Sequence, residues 1–245
     1  MGIVYNVSNS WLNTSTTNSL NGLITQNLVY AFDAARPLSY SGSGVTVNDL
    51  AGSTVVGTLT NGPTFNADNL GSIVFDGSND YIALQNGANT YNPILLSQTC
   101  SVYAWIKTNS NKTNPILDDR TGGPANVGLR ITDTGKLQYL QYDGQWNYYD
   151  SVGSSVLTGR WNHVVFTRAN SSLGPVKMYL NGELNHTVTV TSPRNLSGGN
   201  MTHIGVSWSG GSFNGHISML LVYSVEHSLA QITQQFNMHR KRYGI

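Results

Sequence analysis

Hydrolysis of a glycosidic bond needs two carboxylates flanking it, roughly 5–10 Å apart. This chain holds two glutamates, Glu183 and Glu226, and neither has an acidic neighbour two positions away. Asp118 and Asp119 are adjacent, so on a strand they would point to opposite faces. His163, His186, His203 and His216 are scattered without the i, i+4 spacing of a helical metal site. Lone strand histidines of this kind are usually partly buried and satisfied. Cys100 is the single cysteine and has no evident base. The glycines fall at turns, with no phosphate-cradling loop or dinucleotide fingerprint. Catalysis is not expected.

Recognition has better candidates. Tyr139, Tyr142, Trp146, Tyr148 and Tyr149 crowd eleven positions, with Asp143 and Gln145 between them. Trp208 and Phe213 bracket Ser209-Gly-Gly-Ser212. Aromatic faces interleaved with planar hydrogen-bonding groups suit the C–H faces and hydroxyls of a sugar. They suit a protein hot spot equally, and aromatics also favour strands for their own sake. Tyr142, Trp146, Tyr148, Tyr149, Trp208 and Phe213 are therefore candidates for contact with a glycan or a protein partner.

The elements that would position these residues are β-strands. Charged residues make up only 10% of the 245, against a usual ~25%. Apolar content is 39%, too high for a disordered polyelectrolyte. A surface built from Asn, Ser, Thr and Gly follows. The formal net charge of +1 favours neither nucleic acid nor an anionic membrane. One cysteine allows no internal disulfide, and Cys100 reads as a small buried apolar residue. No apolar run is long enough to span a bilayer. The first residues lack the basic and apolar regions of a signal peptide.

Residues 1–21 form a polar N-terminal arm in which Trp11 and Leu12 are the main apolar anchors. From residue 22 to 245 the pattern is one β domain. Strands are expected at Leu28–Phe32, within Val45–Leu59, and at Ser101–Lys107, Val127–Thr132, Lys136–Tyr142, Trp161–Arg168, Val176–Asn181, Glu183–Val190, Thr202–Val206 and Gly215–Tyr223. Ser72–Leu84 reads as a hairpin around Asp76-Gly77 and Asn79-Asp80. Asn181-Gly182 is the strongest two-residue hairpin signal. In Ser101–Lys107, Val102, Ala104 and Ile106 share one face and Tyr103 and Trp105 the other. Ser228 caps a closing helix over 229–242, with Leu229, Ile232 and Phe236 as its apolar stripe and Gly244 as its stop. His239-Arg240-Lys241-Arg242 reads as a solvated last turn, where cations suit the helix dipole.

The order of motifs resembles the laminin-G-like, concanavalin A-like lectin/glucanase jelly rolls. It runs from Ser72–Leu84 through Ser101-Val-Tyr-Ala-Trp-Ile-Lys107, Gly159–Arg168 and Val176–Gly182 to Ile204-Gly205 and Phe213-Asn-Gly-His-Ile217. The resemblance implies an all-β jelly-roll sandwich of two antiparallel sheets, with Trp105 and Trp161 as structural residues. The flanks, Tyr30–Tyr40, Asn48–Gly52, Thr58–Phe65 and Gln231–Gly244, are similar to those of such domains in bacteriophage structural proteins. That similarity implies a non-enzymatic virion component on the virion surface, made in the host cytoplasm, above all a capsid decoration or minor capsid protein docked through Trp11 and Leu12 of the arm. Its implied partners are capsid or other virion proteins, further copies of itself, and a cell-surface glycan, but neither nucleic acid nor membrane. The alternative is a carbohydrate-binding adhesin or receptor-binding fibre module, and a glycoside hydrolase comes last. Some relatives bind calcium through carboxylates near the Phe-Asn-Gly-x-Ile motif, where this chain has Ser218. Asp76, Asp80 and Asp33 are the remaining candidate ligands, and no other cofactor is expected.

Overall fold

A computed structural model describes residues 23–86, 89–90, 99–119, 127–169, 173–191, 202–207 and 211–245. The arm with Trp11 and Leu12, and Trp208, lie outside the described residues. The strands are, in chain order, β1 (Leu28–Asp33), β2 (Thr46–Asn48), β3 (Val55–Thr60), β4 (Thr64–Asn66), β5 (Ser72–Asp76) and β6 (Tyr81–Asn86). Next come β7 (Asn89–Thr90), β8 (Cys100–Thr108), β9 (Asn114–Asp119), β10 (Val127–Ile131), β11 (Leu137–Tyr142) and β12 (Trp146–Asp150). The last are β13 (Asn162–Arg168), β14 (Val176–Leu180), β15 (Glu183–Val188), β16 (Thr202–Ile204) and β17 (Asn214–Tyr223), followed by helix α1 (Leu229–His239).

All pairings are antiparallel and build two sheets. The first runs β15-β14-β13-β8-β17-β5-β4, with β1 also on β17, and the second β12-β11-β10-β9-β16-β6-β3-β2, with β7 on β6. Alternation along each strand sends one set of side chains between the sheets. Val102, Ala104 and Ile106 of β8 join Phe32, Ile73, Phe75, Ile82 and Leu129 in that inner core. Tyr103 and Trp105 point the other way, into a second layer with Trp161, Tyr223, Ile232 and Tyr243 that α1 covers. Cys100 is buried and unbridged.

The turn signals are met at two glycine-dependent hairpins. Asn181 (φ 52°) and Gly182 (φ 85°) join β14 to β15 with both central residues left-handed. A Cβ on Gly182 would also lie 2.7 Å from the Phe236 ring, so glycine lets α1 close on this turn. Gly135 (φ 77°) joins β10 to β11.

Ser72–Leu84 is not a hairpin. β5 pairs with β4 and β17 in the first sheet, and β6 with β3 and β16 in the second. The turn between them carries the chain across the sandwich. Gly77 has the positive φ (80°) that either kind of turn would ask of it. What separates a hairpin from a crossing is the partner each strand finds, and those partners lie far away in sequence.

The closing helix also differs in detail. Ser228 Oγ accepts from the Gln231 backbone N–H, and the Gln231 side chain returns the bond, a complete capping box. Yet Leu229 is 51% exposed, while Ile232, Gln235 and His239 are buried and Phe236 packs on the aromatic layer. The stripe runs 232, 235, 236, 239, because Gln235 and His239 make hydrogen bonds that let polar groups sit inside. Nor is the basic run wholly solvated. A 3-10 turn over Arg240–Tyr243 follows α1 and aims Arg242 inward. Its guanidinium bonds Asp33 Oδ1 (2.8 Å), the Asn69 and Gly71 carbonyls (2.7 and 3.1 Å) and Ser218 Oγ (2.5 Å). This clamp joins the two ends of the domain.

Candidate functional site

β12 is an edge strand, so its outer face and its rim have no neighbouring strand among the described residues. Period-two alternation puts Trp146, Tyr148 and Asp150 outward and Asn147 and Tyr149 inward. The registers β12–β11 and β11–β10 then set Trp146 beside Tyr142, Tyr148 beside Leu140, and Asp150 beside Gln138, which itself faces Arg130. Three strands thus contribute to one patch.

Its aromatic half is a ring cluster. The Trp146 and Tyr142 centroids are 5.3 Å apart, edge to face, and those of Trp146 and Tyr148 6.4 Å apart, tilted by 32°. Tyr148 is 54% exposed. Its polar half is a chain of side chains. Arg130 Nε donates to Gln138 Oε1, and Gln138 Nε2 donates to Asp150 Oδ1. The Arg130 guanidinium carbon lies 5.3 Å from the Tyr148 ring centroid, a cation–π contact joining the two halves. Partial burial lowers the Arg130 pKa, while Tyr148, Asp118 and Asp150 act to raise it. Gly128 makes room beneath the patch: a Cβ there would come within 3.1 Å of Leu140 Cδ1 and 3.2 Å of Asp118 Oδ2. Behind the patch, buried Arg168 of β13 donates to Tyr139 Oη (2.7 Å) and Gln141 Oε1 (2.6 Å), tying β11 to the opposite sheet.

The structure brings together Tyr142, Trp146 and Tyr148 of the residues marked by the sequence, and it removes two others. Tyr149 faces inward, packs on the inter-sheet core and meets Thr191 through its hydroxyl (3.2 Å). Phe213 is fully buried, edge-on to Phe75 at 5.8 Å, so it is a core residue and not a contact. Its Phe-Asn-Gly motif lies where β17 begins, and that fixes its side chain inward. Arg130, Gln138 and Asp150 were missed by sequence reasoning. The Asp133-Thr-Gly135 turn held the signal, because its register alone sets Arg130 opposite Gln138.

The calcium candidates are engaged otherwise. Asp33 pairs with Arg242 (2.8 Å) and Arg36 (3.4 Å). Asp76 Oδ1 accepts from the Ser78 N–H (2.7 Å), a bond that lowers its pKa. Asp80 Oδ2 accepts from the Asp76 N–H (3.0 Å), and burial raises its pKa. Both therefore act as turn formers, and no group of three metal-ligating side chains occurs among the described residues. Glu226 is used in an ion pair with Lys177 (2.8 Å).

Two antiparallel sheets packed around one core define a lectin-like sandwich. Residues 76–233 match the family model described as the concanavalin A-like lectin/glucanases superfamily, and the chain belongs to that family. No curated protein matches its sequence. Among solved structures it is similar to domain 4 of AbnA, a GH43 extracellular arabinanase from Geobacillus stearothermophilus in complex with arabinotriose. The TM-score is 0.63 at 20% identity, covering 84% of this chain and 97% of that one. It is also similar to the binding domain of botulinum neurotoxin DC in complex with rat synaptotagmin II, with TM-score 0.64 at 14% identity and 88% and 52% coverage. A botulinum neurotoxin type C structure, titled for cell entry that depends on two ganglioside molecules, gives 0.62 at 16% identity with 88% and 52% coverage. The chain spans about half of each toxin chain. These likenesses establish the fold.

Proposed function

We propose that this protein is a non-enzymatic glycan-binding module. The observation that carries the reading is the patch on β10–β12, where exposed Tyr148 and half-buried Trp146 adjoin the Arg130–Gln138–Asp150 chain. Rings offer a stacking surface to sugar C–H groups, and the polar chain offers donors and acceptors for hydroxyls. Two of the similar structures point the same way, one bound to arabinotriose and one titled for ganglioside interaction. The carboxylates are also engaged in the structure: Asp118 and Asp150 both act on Arg130, and Glu226 pairs with Lys177 at 2.8 Å. An array of immobilised oligosaccharides tests the reading: Trp146→Ala and Tyr148→Ala should each weaken retention about tenfold without lowering the melting temperature. Retention unchanged in both variants would remove the patch from the binding site.

The virion surface is the setting that supports display of such a module, and the phage-like flanks of the sequence support the setting. Attachment would run through the arm with Trp11 and Leu12, and self-association is part of the same proposal. Deleting residues 1–21 should release the protein from purified particles. A chain that never co-purifies with particles refutes the setting and leaves the glycan reading standing.

A further inference from the structure

Beside the closing helix lies an apolar groove that neither the glycan patch nor the core uses. It forms where α1 meets the turn from β14 to β15. Two depressions of about 410 and 360 Å³ adjoin there, and Leu184 of β15 and Leu229 of α1 line both. Tyr179 lines the first and Phe236 the second. Register sets Leu184 opposite Tyr179, on the outer side of the sheet that α1 covers. The two leucines remain 50% and 51% exposed. The Lys177–Glu226 ion pair (2.8 Å) borders the first depression, and Glu183 and Asn237 border the second. β15 is an edge strand, but Asn185 at its middle is already engaged. Its Nδ2 donates to the Ser154 carbonyl (2.9 Å), and a Cβ on Gly153 would lie 2.6 Å from its backbone oxygen. An occupant therefore enters by side chains and not as an added strand.

Two half-exposed leucines fall far short of the ~800 Å² that each partner brings to a stable complex. A free partner would bind weakly here, whereas a tethered segment is present at an effective concentration on the order of 1 mM. The chain carries such a segment. Leu23 is buried in the aromatic layer under α1, and Ile24 and Val225 pack on the same layer. The Ser224 N–H donates to the Asn27 carbonyl at 2.9 Å. Residues 1–21 thus leave the domain beside Ser224 and Val225, and Glu226, the next residue, already lines the groove. Trp11 and Leu12 are adjacent large apolar residues in that polar stretch. The steps from Leu12 to Leu23 reach about 36 Å when extended, at ~3.3 Å each.

We infer that the groove between β15 and α1 seats the chain's own N-terminal arm, with Trp11 and Leu12 against Leu184 and Leu229. Seating requires neither a glycan nor a particle, and a particle that takes the arm would compete with the groove. Limited proteolysis of the full chain by chymotrypsin, which cuts after aromatic residues and leucine, reads the rate of cleavage at Trp11 and Leu12. Leu229→Asp and Leu184→Thr should each raise that rate about tenfold, since each removes an apolar wall. Both suit their places, an acid in a first helical turn and a β-branched residue in a strand, and an unchanged melting temperature shows that the fold is kept. Val152→Asp, at a residue 75% exposed and outside the groove, should cleave as the wild type does. Equal rates in the wild type and both groove variants overturn the seat. Protection that fades on dilution, with light scattering showing a dimer, assigns the arm to a second copy and overturns seating within one chain.

Discussion

Lowering the pH from 7.5 to 5 should loosen the layer under the closing helix, and His163 sets the size of the effect. His163 projects from β13 and is fully enclosed, with Trp105 at 5.0 Å, Tyr103 at 5.7 Å and Phe236 of α1 at 5.7 Å between ring centroids. Its Nδ1 makes no hydrogen bond among the described residues. Burial, with a smaller contribution from His239, pushes its pKa down from 6.5 to about 3. The folded state thus holds His163 neutral at pH 5, whereas the unfolded chain is protonated there. Stability contributed by the neutral form is complete above 6.5 and is lost as pH falls from 6.5 toward 3. At pH 5 the loss is about 2 kcal/mol, from one and a half pH steps at ~1.4 kcal/mol each. His227, which bonds Tyr103 Oη through Nδ1 at 2.7 Å, is pushed down to about 4 by burial and adds a smaller loss of the same sign. His239, beside Asp33, Arg36 and Arg242, and His216, beside Ser72, Lys107 and Asp68, are also lowered, chiefly by burial. The assay is urea unfolding followed by tryptophan fluorescence, since Trp105 and Trp161 both sit in this layer. His163→Leu, close in volume and without a titrating group, should recover about 2 kcal/mol of the loss at pH 5. A wild type and variant that lose equal stability between pH 7.5 and 5 would refute the reasoning.

Two further perturbations test the fold that carries the patch. Arg242→Ala leaves Asp33, whose side chain is 5% exposed, without its nearer cation. A cost of about 3 kcal/mol is expected, read as a lowered urea midpoint. Asp33→Asn in the same background should add little, and full additivity in that double-mutant cycle would show that the clamp is not a unit. Gly182→Ala should cost about 1–2 kcal/mol, from a positive φ of 85° and a Cβ placed 2.7 Å from Phe236. An unchanged midpoint would mean that α1 gives way freely at that turn.

What the sequence revealed and what it hid follow from the range of the interactions involved. The two faces of β8 were legible, because a strand's period of two is written in consecutive residues and the inner and outer environments are both apolar. The Asn181-Gly182 turn was legible for the same reason: its chemistry is local. Ser72–Leu84 was misread because the choice between hairpin and crossing depends on β4, β17, β3 and β16, and no local feature encodes them. Phe213 was misread because aromatic residues serve cores and contacts alike, and only burial separates the two. The inward turn of Arg242 was hidden because its partners, Asp33, Asn69, Gly71 and Ser218, are assembled by the fold.

The same logic explains why the binding patch sits where it does. A two-sheet sandwich has two outer faces, and α1 covers one of them with Ile232 and Phe236. Tyr103, Trp105, Trp161 and Tyr223 are consumed by that cover, although each is as aromatic as Trp146 or Tyr148. Among the described residues, Tyr148 stays 54% exposed on β12, an edge strand of the other sheet, with Trp146 beside it. An edge strand with exposed aromatics is an aggregation hazard unless charges interrupt it. Asp143 and Asp150 stand at its two ends, so one pair of carboxylates guards the edge against pairing with another chain. Replacing both with asparagine should therefore promote self-association of the chain, read by light scattering. A double variant that keeps its original oligomeric state at the same concentration means that the carboxylates do not guard the edge.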